Sequence, residues 1–372
     1  VSWSGLALAA SGTAAGVVAG VLFENPLRTA LQRLFVTPHR RRKHRSINKA
    51  WEGLEQLYPA LRLVQAGWDE HGYFAEGTAV LRLGGEFRLT SQLAGKMRTP
   101  HEAKWHQQGQ QDNWQVGINA IRISRISEEP SGIATGRNHL LLLTAHSFRY
   151  FDFLATHRLR LSGTADEQAQ LNAIAGSPHP EEPVGDFPNP CSVGVSVLCE
   201  DGAKLILARR THRVASGGDW MAGKLYNPVG ETVCPHDFSA LFSHEATPDV
   251  VAKRGLHQEM GFTKLDIDQS PPRIHSLAWA ADLLDHKFFG LVTTSLSEAE
   301  VTERWRAAQD AREADPTGLV SYPIHSPGAR RALLASIRDN PTDWAPETLF
   351  CTIRSLTVLG QISPRTIEQV FG

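Results

Sequence analysis

The sequence predicts an α/β fold: a mixed sheet with flanking helices in the C-terminal half, a β-rich or α+β region before it, and a single N-terminal transmembrane helix. Three observations carry this expectation. Residues 1–23 hold no charged side chain. Residues 193–210 alternate apolar and small side chains around an Asp-Gly turn, and residues 248–261 form a helix-compatible run with a start and a stop signal. At 372 residues, with 41% hydrophobic and 21% charged side chains, the chain has a globular composition and enough length for two cores of ordinary size.

The first apolar run, Val1 to Phe23, is rich in Leu, Ala, Val and Gly. Its length matches the roughly 20 residues that cross the hydrocarbon core of a bilayer. A basic segment follows over 24–49, with Arg28, Arg33, Arg40, Arg41, Arg42, Lys43, Arg45 and Lys49. Such a flank belongs on the cytoplasmic side, so a single-pass protein with cytoplasmic soluble domains is expected. No basic region precedes the run, which argues against a cleaved signal peptide. A buried Gly/Ala-rich helix of a soluble fold is the alternative reading. Gly12, Gly16 and Gly20 fall on one helix face, a spacing that lets two membrane helices approach closely and suggests a homo-oligomer. The cluster from His39 to Arg45 suits anionic headgroups, about 1 kcal/mol per charge. It lacks the interleaved aromatic residues of a nucleic-acid arm. With a formal net charge of -1, no nucleic acid is expected as a partner.

Residues 50–163 read as a β-rich or α+β domain. Trp51, Leu54, Leu57 and Tyr58 recur at near-helical spacing up to Pro59. Ala79, Leu81 and Leu83 alternate, and Gly84-Gly85 then suggests a hairpin turn into Phe87-Arg88-Leu89. Ile121 and Ile123 flank Arg122 in a further alternating run, and Leu140 to Leu143 reads as a buried strand. Five prolines between Pro178 and Pro190, with acidic neighbours, suggest an extended linker over 164–190 and a boundary near 185.

The second domain, 191–372, opens with Val193, Val195 and Val197 alternating with Gly194 and Ser196. Asp201-Gly202 turns the chain into a partner strand, Lys204 to Arg210. A polar loop leads through Trp220 to Asn227-Pro228-Val229-Gly230. Thr247 is a suitable N-cap for a helix with Pro248 at its first position, and Gly261 is placed to end it. Downstream, 277–280 and 286–292 read as strands, 295–312 as a charged solvated helix, and 344–349 as the start of a last helix with Pro346 in its first turn. The four cysteines, Cys191, Cys199, Cys234 and Cys351, form no C-x-x-C pair and no recognisable zinc spacing. Reduced thiols are the plain reading.

The nonapeptide Arg254-Gly255-Leu256-His257-Gln258-Glu259-Met260-Gly261-Phe262 resembles the core of the Nudix box, whose pattern is R-E-(aliphatic)-x-E-E-x-G-(aliphatic or aromatic). Arg254, Leu256, Glu259, Gly261 and Phe262 agree with it, while Gly255 and Gln258 stand where carboxylates belong. The order of elements over 190–350 is also similar to that family: alternating strand, Asp-Gly turn, strand ending in Arg, loop with Trp, turn, box helix. The family's G-x5-E-x7-R spacing is not kept. Counting back from Arg254 places Ala246 at the glutamate position and Glu245 one residue away, so an insertion around Cys234 to His244 is inferred. The resemblance implies a Nudix-like α/β/α sandwich with a mixed sheet.

It also implies a site. Positions 255 and 259 share a helix face and 258 borders it, so three carboxylates there would hold Mg²⁺ against a diphosphate. Here Glu259 alone remains as metal ligand and catalytic residue. Glu231 and Glu245 are candidate replacement ligands from outside the helix, with Asp237, His244 and His257 as further polar neighbours. Arg209, Arg210, Trp220 and Trp279 are candidate ligand-binding residues, by phosphate pairing and base stacking. Gly255 costs a helix about 1 kcal/mol relative to Ala, so close approach of another group or drift after loss of metal binding is expected there.

The expected function is that of a membrane-anchored Nudix-like protein recognising a nucleotide or related phosphorylated metabolite, with weak or lost hydrolysis, as a sensor or regulatory module. The alternatives are a divergent metal-dependent pyrophosphohydrolase of nucleoside diphosphate derivatives, and a structural membrane protein with a relict pocket.

Overall fold

The computed structural model describes residues 61–69, 71–112, 119–129, 140–175, 185–210, 223–238, 244–281, 284–308 and 314–371. In chain order they form β1 (Leu61–Ala66), β2 (Ala79–Glu86), a helix α1 over 91–112 with a π turn at Ala94–Arg98, β3 (Asn119–Glu129), β4 (Leu140–Arg149), a helix α2 over 150–162 with a π turn at Leu154–Arg158, and α3 (Ala165–Ala175). Then come β5 (Cys191–Cys199), β6 (Lys204–Arg210), β7 (Leu225–Tyr226), β8 (Val229–Thr232), β9 (Glu245–Ala246), α4 (Pro248–Met260) and α5 (Lys264–Gln269). The chain continues with β10 (Arg273–Ala280), β11 (Asp285–Thr293), α6 (Glu298–Ala307), β12 (Ala314–Pro323), α7 (Pro327–Asp339), α8 (Pro346–Val358) and α9 (Pro364–Phe371).

The larger sheet is mixed, in the order β1-β10-β11-β5-β6-β12, with β7 paired to β6 and β8 paired to β5. β5 is its axis. It runs parallel to β11, while its first half is antiparallel to β8 and its last residues to β6. Because side chains alternate along a strand, Val193, Val195 and Val197 face one way and Leu198 the other. The valines share a core with Val251, Ala252, Leu256 and Met260 of α4 and with Leu81, Ile121, Ile123 and Leu143 of a second, smaller sheet. Leu198, with Leu205 and Leu207 of β6, packs on Leu333 and Leu334 of α7 and on Leu349, Phe350 and Ile353 of α8. The larger sheet is therefore covered on both faces, with α4 on one and the C-terminal helices on the other. Each fully buried Leu, Ile, Val or Phe in these cores contributes about 1.5–3 kcal/mol.

The smaller sheet has the order β3-β4-β2-β9, with β2 parallel to β4. Leu81 and Arg82 of β2 pair with Ala246 and Glu245 of β9, immediately before α4. α1, α2 and α3 form a third core, in which Leu93, Met97, Trp105, Leu154 and Leu171 meet Phe187 and Trp279.

Several expectations meet a different arrangement. Gly84-Gly85 does not make a hairpin: β2 runs on to Glu86, with a register shift against β4 between Leu83 and Gly85. The regions 50–163 and 191–372 do not keep separate sheets, since β1 adds to β10 and β9 to β2. The stretch read as a linker over 164–190 carries α3, and Pro190 bridges to Arg122. Contacts group the described residues into one compact unit. The transmembrane helix expected over 1–23, with Gly12, Gly16 and Gly20, lies outside the described residues, as do the basic segment and the 49–59 helix. Among the described residues no helix is long and apolar enough to cross a membrane.

Candidate functional site

The helix α4 forms as its sequence dictates. Thr247 takes an extended N-cap conformation, Pro248 occupies the first helical position, and Gly261 ends the helix in the left-handed region at φ 66°. A β-carbon on Gly261 would also collide with the Arg304 carbonyl. His257 is exposed, and its Nδ1 lies 2.9 Å from the Phe262 carbonyl, which ties it to the helix end.

α4 lies against β8 closely enough to explain the unusual glycine inside it. A β-carbon on Gly255 would stand 2.6 Å from Glu231 Cγ and 2.6 Å from Val229 Cγ1. Real carbon contacts do not reach that distance, so the helix–strand separation requires glycine. The Glu231 side chain occupies the volume that a carboxylate on residue 255 would enter.

Arg254 then organises the carboxylates on this face. Its Nε donates to Asp237 Oδ1 at 2.9 Å, and its Nη2 to Asp237 Oδ2 at 3.1 Å and the Thr232 carbonyl at 2.8 Å. Nη1 donates to Glu231 Oε2 at 2.6 Å and to Gln258 Oε1 at 3.2 Å. Burial opposes the guanidinium charge, but hydrogen bonding to Asp237 and the charges of Glu231 and Asp237 outweigh it and raise its pKa. Glu259 sits in the last turn, where the helix dipole disfavours a negative charge. Its Oε1 accepts a hydrogen bond from the Gly230 N–H at 2.9 Å.

Glu231, on β8 against Gly255, and Glu259, bound to the Gly230 N–H, thus both lie where α4 meets β8. Glu245 does not. It lies on β9, before the helix starts at Pro248, and that start is about 16 Å along the axis from Glu259 at ~1.5 Å per residue. Glu245 is paired instead with Arg82 at 2.8 Å. Of the hard oxygen donors at this face, Arg254 binds Glu231, Asp237 and the Gln258 carbonyl, and the Gly230 N–H binds Glu259. This donor set fits a resident Mg²⁺ poorly.

The candidate ligand-binding residues do not converge. Arg209 and Arg210 are consecutive on β6 and so project to opposite faces: Arg209 donates to the Gly223 carbonyl, and Arg210 lies over the Tyr226 ring at 5.6 Å. Trp279 is 1% exposed inside the core of α1–α3, and in this conformation offers no face for a base. Trp220 lies outside the described residues.

Two polar groups were not apparent in the sequence. On β11, Lys287 Nζ stands 3.7 Å from Asp285 Oδ2 and 3.6 Å from Glu347 Oε1 in the first turn of α8, and Ser192 Oγ donates to Asp285 at 2.9 Å. Burial pushes the Asp285 carboxyl up to about 6, with Lys287 and Ser192 only partly offsetting it. The second group is Cys234, His236 and Asp237, in the turn that follows β8. Contacts between residues 60 and 93 positions apart build the first, and a four-residue turn builds the second; neither matches a familiar ligand spacing. Compared with known proteins, the chain matches no family model and no curated protein sequence.

Proposed function

We propose that the chain is a Nudix-like protein that binds a nucleotide or related phosphorylated metabolite without efficient hydrolysis, carried on an N-terminal membrane anchor with its folded part in the cytoplasm. The observation that supports the loss of hydrolysis is the contact between Gly255 and β8. A carboxylate cannot be restored at 255 while Glu231 and Val229 stand against it, and Glu231 is itself committed to Arg254. Without clustered carboxylates, a divalent ion is not held where it would polarise a phosphate and activate water. The retained box residues keep the helix, its cap and its seat on the sheet, which is what a binding module needs from them.

The test uses the purified full chain with a panel of nucleoside diphosphate derivatives and Mg²⁺ or Mn²⁺. Saturable binding with no release of phosphate products is expected. Turnover that disappears in Glu259→Gln would instead establish a divergent pyrophosphohydrolase, and absence of both binding and turnover would leave a structural role.

A further inference from the structure

We propose that Cys234, His236 and Asp237 form a binding site for a thiophilic divalent cation, Zn²⁺ in particular. The thiol sulfur, an imidazole nitrogen and a carboxylate oxygen lie within 4.8 Å of one another. A sulfur, nitrogen and oxygen donor set of this kind suits zinc, whereas magnesium takes hard oxygen ligands. The site does not depend on the Nudix-like reading, although it shares Asp237 with the Arg254 network described above.

The turn is held in shape before any ion arrives. Cys234-Pro235-His236-Asp237 closes on itself: the Asp237 N–H donates to the Cys234 carbonyl at 3.0 Å and the Cys234 N–H to Asp237 Oδ2 at 2.8 Å. Pro235 fixes its own φ and limits the conformations available to the loop. Asp237 is further aimed by the Arg254 fork at 2.9 and 3.1 Å. An ionised carboxylate has about four acceptor positions, and these three hydrogen bonds leave one on Oδ1. His236 Nε2 lies 3.8 Å from that Oδ1.

The chemistry is compatible with the surroundings. Cys234 is buried and reduced, its Sγ 3.3 Å from the Thr232 carbonyl. Binding would break the S–H bond, form a zinc–thiolate bond and release the proton to solvent, as metal binding by cysteine does. The thiolate, Asp237 and nearby Glu231 balance the charges of the cation and Arg254. His236, whose side chain is 63% exposed, can close over an ion entering from solvent. Three protein ligands leave a fourth position for water or a ligand atom. Arg254 takes the outer role that orients a ligating carboxylate.

The test is titration of the full chain with ZnCl₂ against a chromophoric chelator, and with Co²⁺ while the near-ultraviolet thiolate-to-cobalt charge-transfer band is followed. One equivalent of tightly bound Zn²⁺ with proton release is expected, together with a charge-transfer band that Cys234→Ser abolishes. His236→Ala, on an exposed side chain that leaves folding undisturbed, is expected to weaken binding by at least about tenfold. Zinc affinity unchanged in both variants would overturn the site, as would a charge-transfer band that persists without Cys234 or is never seen.

Discussion

The Glu231 side chain stands where a β-carbon on Gly255 would be, 2.6 Å from its Cγ. Alanine inside a helix is favoured over glycine by about 1 kcal/mol, but forcing a methyl into a packed contact costs about 1–3 kcal/mol. Gly255→Ala is therefore expected to lower the urea midpoint of unfolding, and Gly255→Glu to lower it further without creating hydrolysis. A raised midpoint in the alanine variant would show that the helix and strand are not in this contact.

Arg254 is the counter-charge for a carboxylate that is 2% exposed, Asp237, and for Glu231. Removing one partner of a buried pair costs about 3–5 kcal/mol, because the other charge stays buried. Arg254→Ala is expected to lose stability in that range by chemical denaturation. Arg254→Lys keeps the charge but not the fork, and should fall between the two.

Asp266 accepts hydrogen bonds from both Arg304 and Thr263, with Arg304 contributing most to lowering its pKa to about 2. Its pKa in the unfolded chain is about 3.9. The resulting stability is present above that value and is lost as pH falls toward about 2. After allowance for solvent screening it amounts to about 1 kcal/mol. Asp266→Asn is expected to be less stable at neutral pH and to show a shallower acid limb in pH-dependent unfolding.

Asp285 carries the opposite sign. Burial raises its carboxyl to about 6, so between about 4 and 6 the folded state holds a proton that the unfolded state has given up. Stability contributed by this group falls as pH rises through that window. Asp285→Asn removes the titration, and the stability difference between variant and parent is expected to shift in the variant's favour from pH 4 to pH 7. A difference independent of pH would exclude the assignment.

Arg354 is 2% exposed on α8, and its three guanidinium nitrogens have no hydrogen-bond partner among the described residues. Burial lowers its pKa to about 10. An isolated buried charge is costly, so Arg354→Met is expected to raise stability by about 1–3 kcal/mol. A destabilised methionine variant would mean that the guanidinium has an anionic partner.

What the sequence makes legible is local. Alternation at Val193, Val195 and Val197, the Asp201-Gly202 turn, the Thr247-Pro248 start and the Gly261 stop each depend on a few neighbouring residues, and each element is found there. Pairings between distant segments leave no comparable mark. Nothing in Leu61–Ala66 says that its neighbour is β10, more than 200 residues later. Gly84-Gly85 carries the composition of a turn, yet pairing with β4 keeps the strand going past it. The site follows the same rule. Arg254 and Glu259 stand out through the resemblance to the Nudix box and Gly261 as a helix stop, whereas the reason for Gly255 lies on β8, and Arg254's acidic partners lie 17 and 23 residues away.

The pairing of β1 with β10 and of β9 with β2 makes the chain resistant to dissection. A fragment beginning at residue 191 would leave β10 as a bare edge and β9 without its neighbour, each presenting unpaired backbone groups to other chains. Such a fragment is a candidate for aggregation rather than a minimal binding domain. The helix α4 could not be transplanted as a cassette, because the strand that launches it is anchored on a strand encoded more than 150 residues earlier.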